Sequence, residues 1–573
     1  MKLLWKRLCQ YLIAAAGYLK LSLWPHFFKN LINCQFLIYS AVSLLLAVMS
    51  FPERFMDFDS SMLRPVREIA VLLTSVEVAG PILRQFVLLL AVYALAFLLP
   101  RKIRAVFLSL FLFLIALYAL GNSYMVIRYS CPAPEMVIII NSADMQEVRE
   151  YFSVLFLNNK IFLFGSILFI LLLPAAGWYF FMRTHSPSYP AVFSAFFAVL
   201  AVIVLRMLPG DFDGEFWRYI KAVDFLYRLD EKDFYLESAA GMVAAPQLPP
   251  GSKDALKGRT AVAGILVLGE SDCRWSHSLY GYGKHTDLQM EKFSKKPGFF
   301  IFKNVISATA STQHSIYFMF SDARISDKTK PGKFAICEWF HAAGASVLWY
   351  SNQRAHGAWA SMGALIFANA DELKFFADGT KNTYDRIALL PPMLERWKSV
   401  KNSREPVLFG VHIMGSHYQQ QFRIDPKWRE NNRDKLEDLD IYDQTVVYTD
   451  DFLGTLAAEV EAVEKPAFLL YMPDHGELLC SNRSLLTPEA VYYEIPVFLY
   501  CNAAYLKAFP ETAAALREAC EKPYQTDLAV YLLARLMNMP EKLIPPQADI
   551  LSGDYHPVPR WIGFGEIRYP EKP

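Results

Sequence analysis

Four short apolar runs, each ending abruptly in polar residues, limit what this chain can fold into. They are Gly264 to Ser271 (Gly-Ile-Leu-Val-Leu-Gly-Glu-Ser), Ala345 to Tyr350 leading into Asn352, Val407 to His412 leading into Gly415-Ser-His417, and Tyr471-Met-Pro-Asp474-His475-Gly-Glu477. Runs this short and continuously apolar read as strands buried on both faces, the habit of parallel sheets flanked by helices. In open α/β sheets the site lies at the carboxyl ends of the strands. Glu270, Asn352, His412, His417, Asp474 and His475 are therefore expected along one sheet edge. A carboxylate, an Asp-His pair and further histidines gathered there suit a borderline cation such as zinc. Taken singly, Glu270 reads as a solvated loop residue and Asp-His-Gly as a turn; it is their conjunction that points to a metal.

This sheet accounts for only part of the chain. With 573 residues, 54% of them hydrophobic, and a mean hydropathy of +0.21, a membrane part and a soluble part are expected. Stretches of the roughly 20 apolar residues that cross a bilayer lie near Phe36 to Phe51, Ile82 to Leu99, Ala105 to Gly121, Ile161 to Phe181 and Ala191 to Leu208. Leu8 to Leu23, with Lys20 inside it, reads as an interfacial helix; as a sixth span it would invert the topology. No cleavable signal peptide is evident. Lys2, Lys6, Arg7, Lys20 and Lys29 precede the first span, Arg101 to Arg104 joins the second and third, and Arg183 lies between the fourth and fifth. By the positive-inside rule these face the cytoplasm, so after five spans everything from Pro209 onward is expected on the outer face.

From Asp211 to Leu236 apolar residues recur at helical spacing, which predicts a bridging helix on the membrane surface. Residues 239–251, rich in Ala, Gly and Pro, read as a linker. A doubly wound domain is expected from about Gly258 to about Pro545, followed by a surface-hugging tail. The balance of 57 basic and 56 acidic residues gives no sign of a nucleic-acid partner. The eight cysteines are scattered and show no disulfide framework.

A nucleophile is sought between the first two motifs. Ser307, Thr309, Ser311, Thr312 and Ser315 form a hydroxyl cluster ahead of an apolar stretch. Such residues favour helix N-termini, whose free N–H groups bind anions. A hydroxyl on zinc there could attack phosphorus. On composition alone an ordinary helix cap explains the cluster equally well, and which hydroxyl would act stays open.

These residues, in this order, resemble the phosphoethanolamine transferases of Gram-negative inner membranes, within the alkaline phosphatase and sulfatase superfamily. The resemblance covers Gly-Glu-Ser, Ser278-Leu-Tyr-Gly-Tyr282, the block from Asn304 through Thr312 to Met319-Phe-Ser321, Gly415-Ser-His417, Tyr442 to Leu453, and Asp474-His-Gly-Glu477. It implies an α-helical membrane domain (1–210), a bridging helix and linker (211–257), and an α/β sulfatase-like periplasmic domain (258–573). It further implies that Glu270, Thr312, Asp474 and His475 hold one zinc ion, with a second in question, and that Thr312 is the nucleophile. His417 would act at the substrate phosphate or a second zinc, with Asn352, His356 and His412 binding substrate. The implied reaction takes phosphoethanolamine from phosphatidylethanolamine in the bilayer to an envelope acceptor, lipopolysaccharide (lipid A or core) or another glycan. Alternatives are phosphoglycerol transfer to a periplasmic glycan, or an inactive membrane scaffold. The chain departs from the family where Ala308 and Phe318 replace two cysteines, His356 replaces a lysine and Thr487 falls near a further histidine.

Overall fold

Strands buried on both faces organise the structure, a computed structural model. It describes residues 231–355, 361–377, 383–418, 420–477, 490–556, 559–563, 565 and 567–570, with short pieces between 56 and 172. Among the described residues seven strands form the main sheet: β1 (Ala263–Gly269), β2 (Phe299–Ile301), β3 (Ser346–Ser351), β4 (Glu372–Phe375), β5 (Val407–His412), β6 (Ala467–Pro473) and β7 (Phe498–Cys501). Their order across the sheet is β2-β7-β6-β1-β5-β3-β4. The four strands read from the sequence, β6, β1, β5 and β3, are parallel neighbours. The edge departs from a doubly wound sheet, because β7 runs antiparallel to both β6 and β2.

Successive side chains of one strand enter opposite cores, as the two-residue repeat requires. Leu266, Leu268, Val347, Trp349, Leu408, Leu470 and Met472 join a core with helices α2 (Thr312–Met319), α3 (Ile336–Ala343) and Ala529–Leu536. Ile265, Val267, Leu348, Tyr350, Phe409, Val411, Leu469 and Tyr471 join the other, with Leu390–Val400 and α4 (Ile441–Glu461). Gly410 leaves the space that Trp349 fills, since a Cβ there would lie 2.1 Å from the indole.

The stretch expected as a linker is partly helical. Helix α1 (Glu231–Ala244) continues past residue 239, and Tyr235, Ala239 and Met242, spaced along one face, are buried in the first core. Alanine is the best helix former, and a lone Gly241 costs only about 1 kcal/mol; beyond its own helix, no atom of the described residues lies within 4 Å of the place a Cβ on Gly241 would occupy. The tail is also drawn in: Trp561–Ile562 pairs with Ile567–Arg568, and Ile562 and Tyr569 pack with Ile306, Tyr492 and Tyr493.

Most of the expected spans lie outside the described residues. No helix among the described residues is long and apolar enough to cross a membrane. Residues 102–114 are helical, and Ile103, Val106, Phe107, Leu110 and Leu114 form an exposed apolar stripe on them.

Candidate metal centre

Strand register brings the acidic residues together. Gly269 lies opposite Pro473, so Glu270 and Asp474 leave neighbouring strands side by side, while Leu268 pairs with His412 and His412 with Ser351. Glu270, Asp474 and His475 each offer a ligand atom, all within 4.8 Å of one another. Glu270 and Asp474 are almost wholly buried, whereas His475 and Thr312 are half-buried.

Thr312, the first residue of α2, places Oγ1 at 3.3 and 3.2 Å from the two Glu270 oxygens and 3.5 Å from His475 Nε2. His475 Nε2 stands 3.6 Å from Glu270 Oε1 and 3.5 Å from Asp474 Oδ2. Four donors around zinc at about 2.0–2.2 Å, arranged tetrahedrally, are separated by roughly 3.3–3.6 Å. The residues present fit that ion. His475 Nδ1 lies 2.8 Å from the Gly476 carbonyl, to which it donates, and this orients Nε2 toward the carboxylates. Asp474 Oδ1 accepts from the backbone N–H groups of Ser271 and His475, but buried Oδ2 has no hydrogen-bond partner among the described residues. The site is short of positive charge: burial opposes protonation of His475, yet Asp474 and Glu270 outweigh it and hold its pKa above the usual value.

The turns that present these groups are tightly held. Ser271 sits at φ +53°, a left-handed conformation costly for a residue with a Cβ. Its carbonyl accepts from Tyr442 Oη, at 2.9 Å, and its hydroxyl donates to Glu270 Oε1. Gly415, at φ +46°, lets the next turn lie directly on Glu270, since a Cβ would come 2.9 Å from the Glu270 carbonyl oxygen. The adjoining Ser416 N donates to that same oxygen, and Thr445 Oγ1 donates to Ser416 Oγ. The motif from Tyr442 to Leu453 thus clamps both turns from α4.

The other expected residues fall around this group in different ways. His412 is buried 4.0 Å from Glu270 Oε2, its Nε2 has no hydrogen-bond partner among the described residues, and burial lowers its pKa to about 4. His417 is half-buried on the Gly-Ser-His turn, its Nδ1 3.3 Å from the Tyr418 carbonyl. Asn352 is fully buried and its amide donates to Asp385 Oδ1 at 2.8 Å. His356 and Thr487 lie outside the described residues. Ala308 and Phe318, which replace the family's cysteines, are both buried, and Phe318 packs on Tyr235 of α1. Among the described residues Cys273, Cys337, Cys501 and Cys520 form no disulfide with one another.

Two residues escaped the sequence. Gln353 Nε2 donates to Glu270 Oε2 at 2.6 Å; its one signal is its place beside Asn352. Asp385 accepts from Asn352 and from the backbone N–H groups of Met414 and Gly415, joining two loops. Nothing in its local sequence marks it.

Residues 264–534 match the sulfatase family model. The phosphoethanolamine transferase EptC of Escherichia coli K12 is 22% identical over 327 residues, 52% of this chain and 55% of that protein. The chain thus spans about half the length of the curated relatives it matches. Among solved structures, the C-terminal periplasmic domain of Escherichia coli EptC in complex with zinc covers 57% of this chain and 96% of its own, with TM-score 0.50 and 20% identity. The integral membrane lipooligosaccharide phosphoethanolamine transferase A of Neisseria meningitidis covers 89% of this chain and 98% of its own, with TM-score 0.55 and 17% identity. At such identities these structures show a shared fold. The match to the sulfatase family model thus falls on residues 264–534, which carry the candidate metal centre, and relatives of the chain by sequence include phosphoethanolamine transferases.

Proposed function

We propose that this chain transfers phosphoethanolamine from phosphatidylethanolamine to an envelope acceptor, a lipid-linked glycan of the lipopolysaccharide class, through a phosphoethanolamine-threonine intermediate. The observation that carries the reading is the position of Thr312 Oγ1, 3.2–3.5 Å from Glu270 and His475 at the start of a helix. Zinc held by Glu270, Asp474, His475 and Thr312 would lower the pKa of the hydroxyl and polarise the phosphoryl group. Thr312 Oγ1 then forms the bond to phosphorus as the bond to the diacylglycerol oxygen breaks.

Helix α2 assists this step. The Ser311 side chain makes no capping hydrogen bond to it, and the N-terminus of a helix favours phosphoryl oxygens. We assign to His417 the proton that leaves with diacylglycerol and the one later taken from the acceptor hydroxyl or phosphate. His412, kept neutral by burial, offers Nε2 as a hydrogen-bonding group beside Glu270. Asn352, fixed by Asp385, lines the same edge. The apolar stripe on residues 102–114 and the apolar segments around it support a multi-pass inner-membrane location with the catalytic domain in the periplasm, where donor and acceptor lipids are both within reach.

The test uses the full chain in vesicles of phosphatidylethanolamine with a lipopolysaccharide acceptor. Zinc-dependent diacylglycerol release, with an ethanolamine nitrogen gained by the acceptor, is expected. Thr312→Ala lowers both by on the order of 10⁴-fold. Release from phosphatidylglycerol instead would shift the reading to phosphoglycerol transfer, and activity retained by Thr312→Ala would refute the nucleophile.

A further inference from the structure

We propose that Gln353 is a positioning residue that aims Glu270 at the cation site, an inference resting on the reading of that site as a zinc centre. Glu270 is buried, and each of its carboxylate oxygens receives one strong donor: Ser271 Oγ on Oε1 at 2.7 Å and Gln353 Nε2 on Oε2 at 2.6 Å. The two donors differ in kind. Ser271 is the next residue and moves with Glu270, whereas Gln353 is 83 residues away, at the end of β3, two strands across the sheet. Gln353 alone of the two ties the carboxylate to the sheet frame.

Gln353 is itself anchored. Its backbone N–H donates to Ser351 Oγ at 3.0 Å, and that hydroxyl lies 3.4 Å from His412 Nδ1. The terminal torsion of a glutamate is broad and roughly two-fold, so without the Gln353 amide the Glu270 carboxylate can turn about its axis. Turning it moves Oε1 away from His475 Nε2, the 3.6 Å separation that matches one edge of a zinc tetrahedron. Outer partners that fix a ligand in this way are typically worth about 10–100-fold in metal affinity.

The experiment measures zinc affinity of the full-length protein by competition with a chromophoric chelator, together with the visible spectrum of the cobalt-loaded form. Gln353→Met keeps the side-chain length and removes the donor; Gln353→Glu keeps the shape and sets an acceptor against an acceptor. Zinc affinity is expected to fall about 10–100-fold in each, with an altered cobalt spectrum and the melting temperature of the zinc-free protein nearly unchanged. A purely structural role would lower that melting temperature and leave affinity alone. Wild-type affinity in either folded variant overturns the proposal, while a wild-type protein that binds no zinc overturns the metal centre itself.

Discussion

Two buried polar clusters flank the Gly-Glu-Ser turn, and they solve the problem of buried charge in opposite ways. In the first, His277 sits between Asp272 and Asp287, with Nε2 3.0 Å from both Asp272 oxygens and Nδ1 2.6 Å from Asp287 Oδ1. Tyr471 Oη donates to Asp272, while Ser278 Oγ and Leu279 N donate to Asp287 Oδ2. Burial opposes a charge on this imidazole, but the two carboxylates win and hold its pKa well above the usual range. That cluster carries its own cation and every carboxylate oxygen is engaged.

The second cluster, Glu270, Asp474, His475 and Thr312, is left incomplete. Among the described residues Asp474 Oδ2 and the nearby His412 Nε2 have no hydrogen-bond partner, and His475 Nε2 faces two carboxylates at 3.6 and 3.5 Å. Unpaired buried charge is costly, so a protein that keeps it needs a cation from outside. On the zinc reading proposed above, the contrast separates a structural cluster from a binding one: the first is satisfied by the chain, the second would be satisfied by a bound cation.

The largest way to break the contrast is Asp474→Asn. Zinc at 1,000 times its Kd stabilises a native protein by about 4 kcal/mol; thermal melts with and without chelator should show a zinc-dependent rise in wild type and none in the variant, which also loses transfer. A zinc-dependent rise that survives in Asp474→Asn would remove the distinction. His277→Gln attacks the other cluster. It leaves two buried carboxylates without their cation and should cost about 3–5 kcal/mol in denaturant melts, with zinc affinity near that of wild type.

A smaller effect separates the clusters by pH. Because the folded-state pKa of His277 is raised, its contribution to stability is complete below about 6.5, the unfolded value, and is lost as pH rises through the folded value. Zinc-free wild type should therefore lose stability on going to alkaline pH more steeply than His277→Gln. Parallel pH profiles for the two would count against a charged His277.

The site is legible in the sequence where strand ends carry it, and obscure where loops do. Glu270, Asp474 and His475 follow continuous apolar runs, so their convergence comes from strand parallelism alone. Thr312 is visible as one of several hydroxyls, but only the family resemblance distinguishes it. Asp385 and Gln353 act through contacts across 30 and 83 residues, a distance over which no local pattern reports. The end of helix α1, from Ala239 onward, reads as a linker because its alanines and glycine show no periodicity until Ala239 and Met242 find a core to bury them. Strand β7 stays hidden because a four-residue apolar run gives no sign of its direction.

The most direct measurement of the central claim is the intact mass of the purified full-length protein after incubation with phosphatidylethanolamine and zinc, with peptide mapping of Asn304 to Ser321. The expected result is a phosphoethanolamine adduct on Thr312 that is absent in Thr312→Ala and discharged by acceptor. A folded, zinc-loaded protein with no adduct, or an adduct on another hydroxyl of that segment, would contradict it.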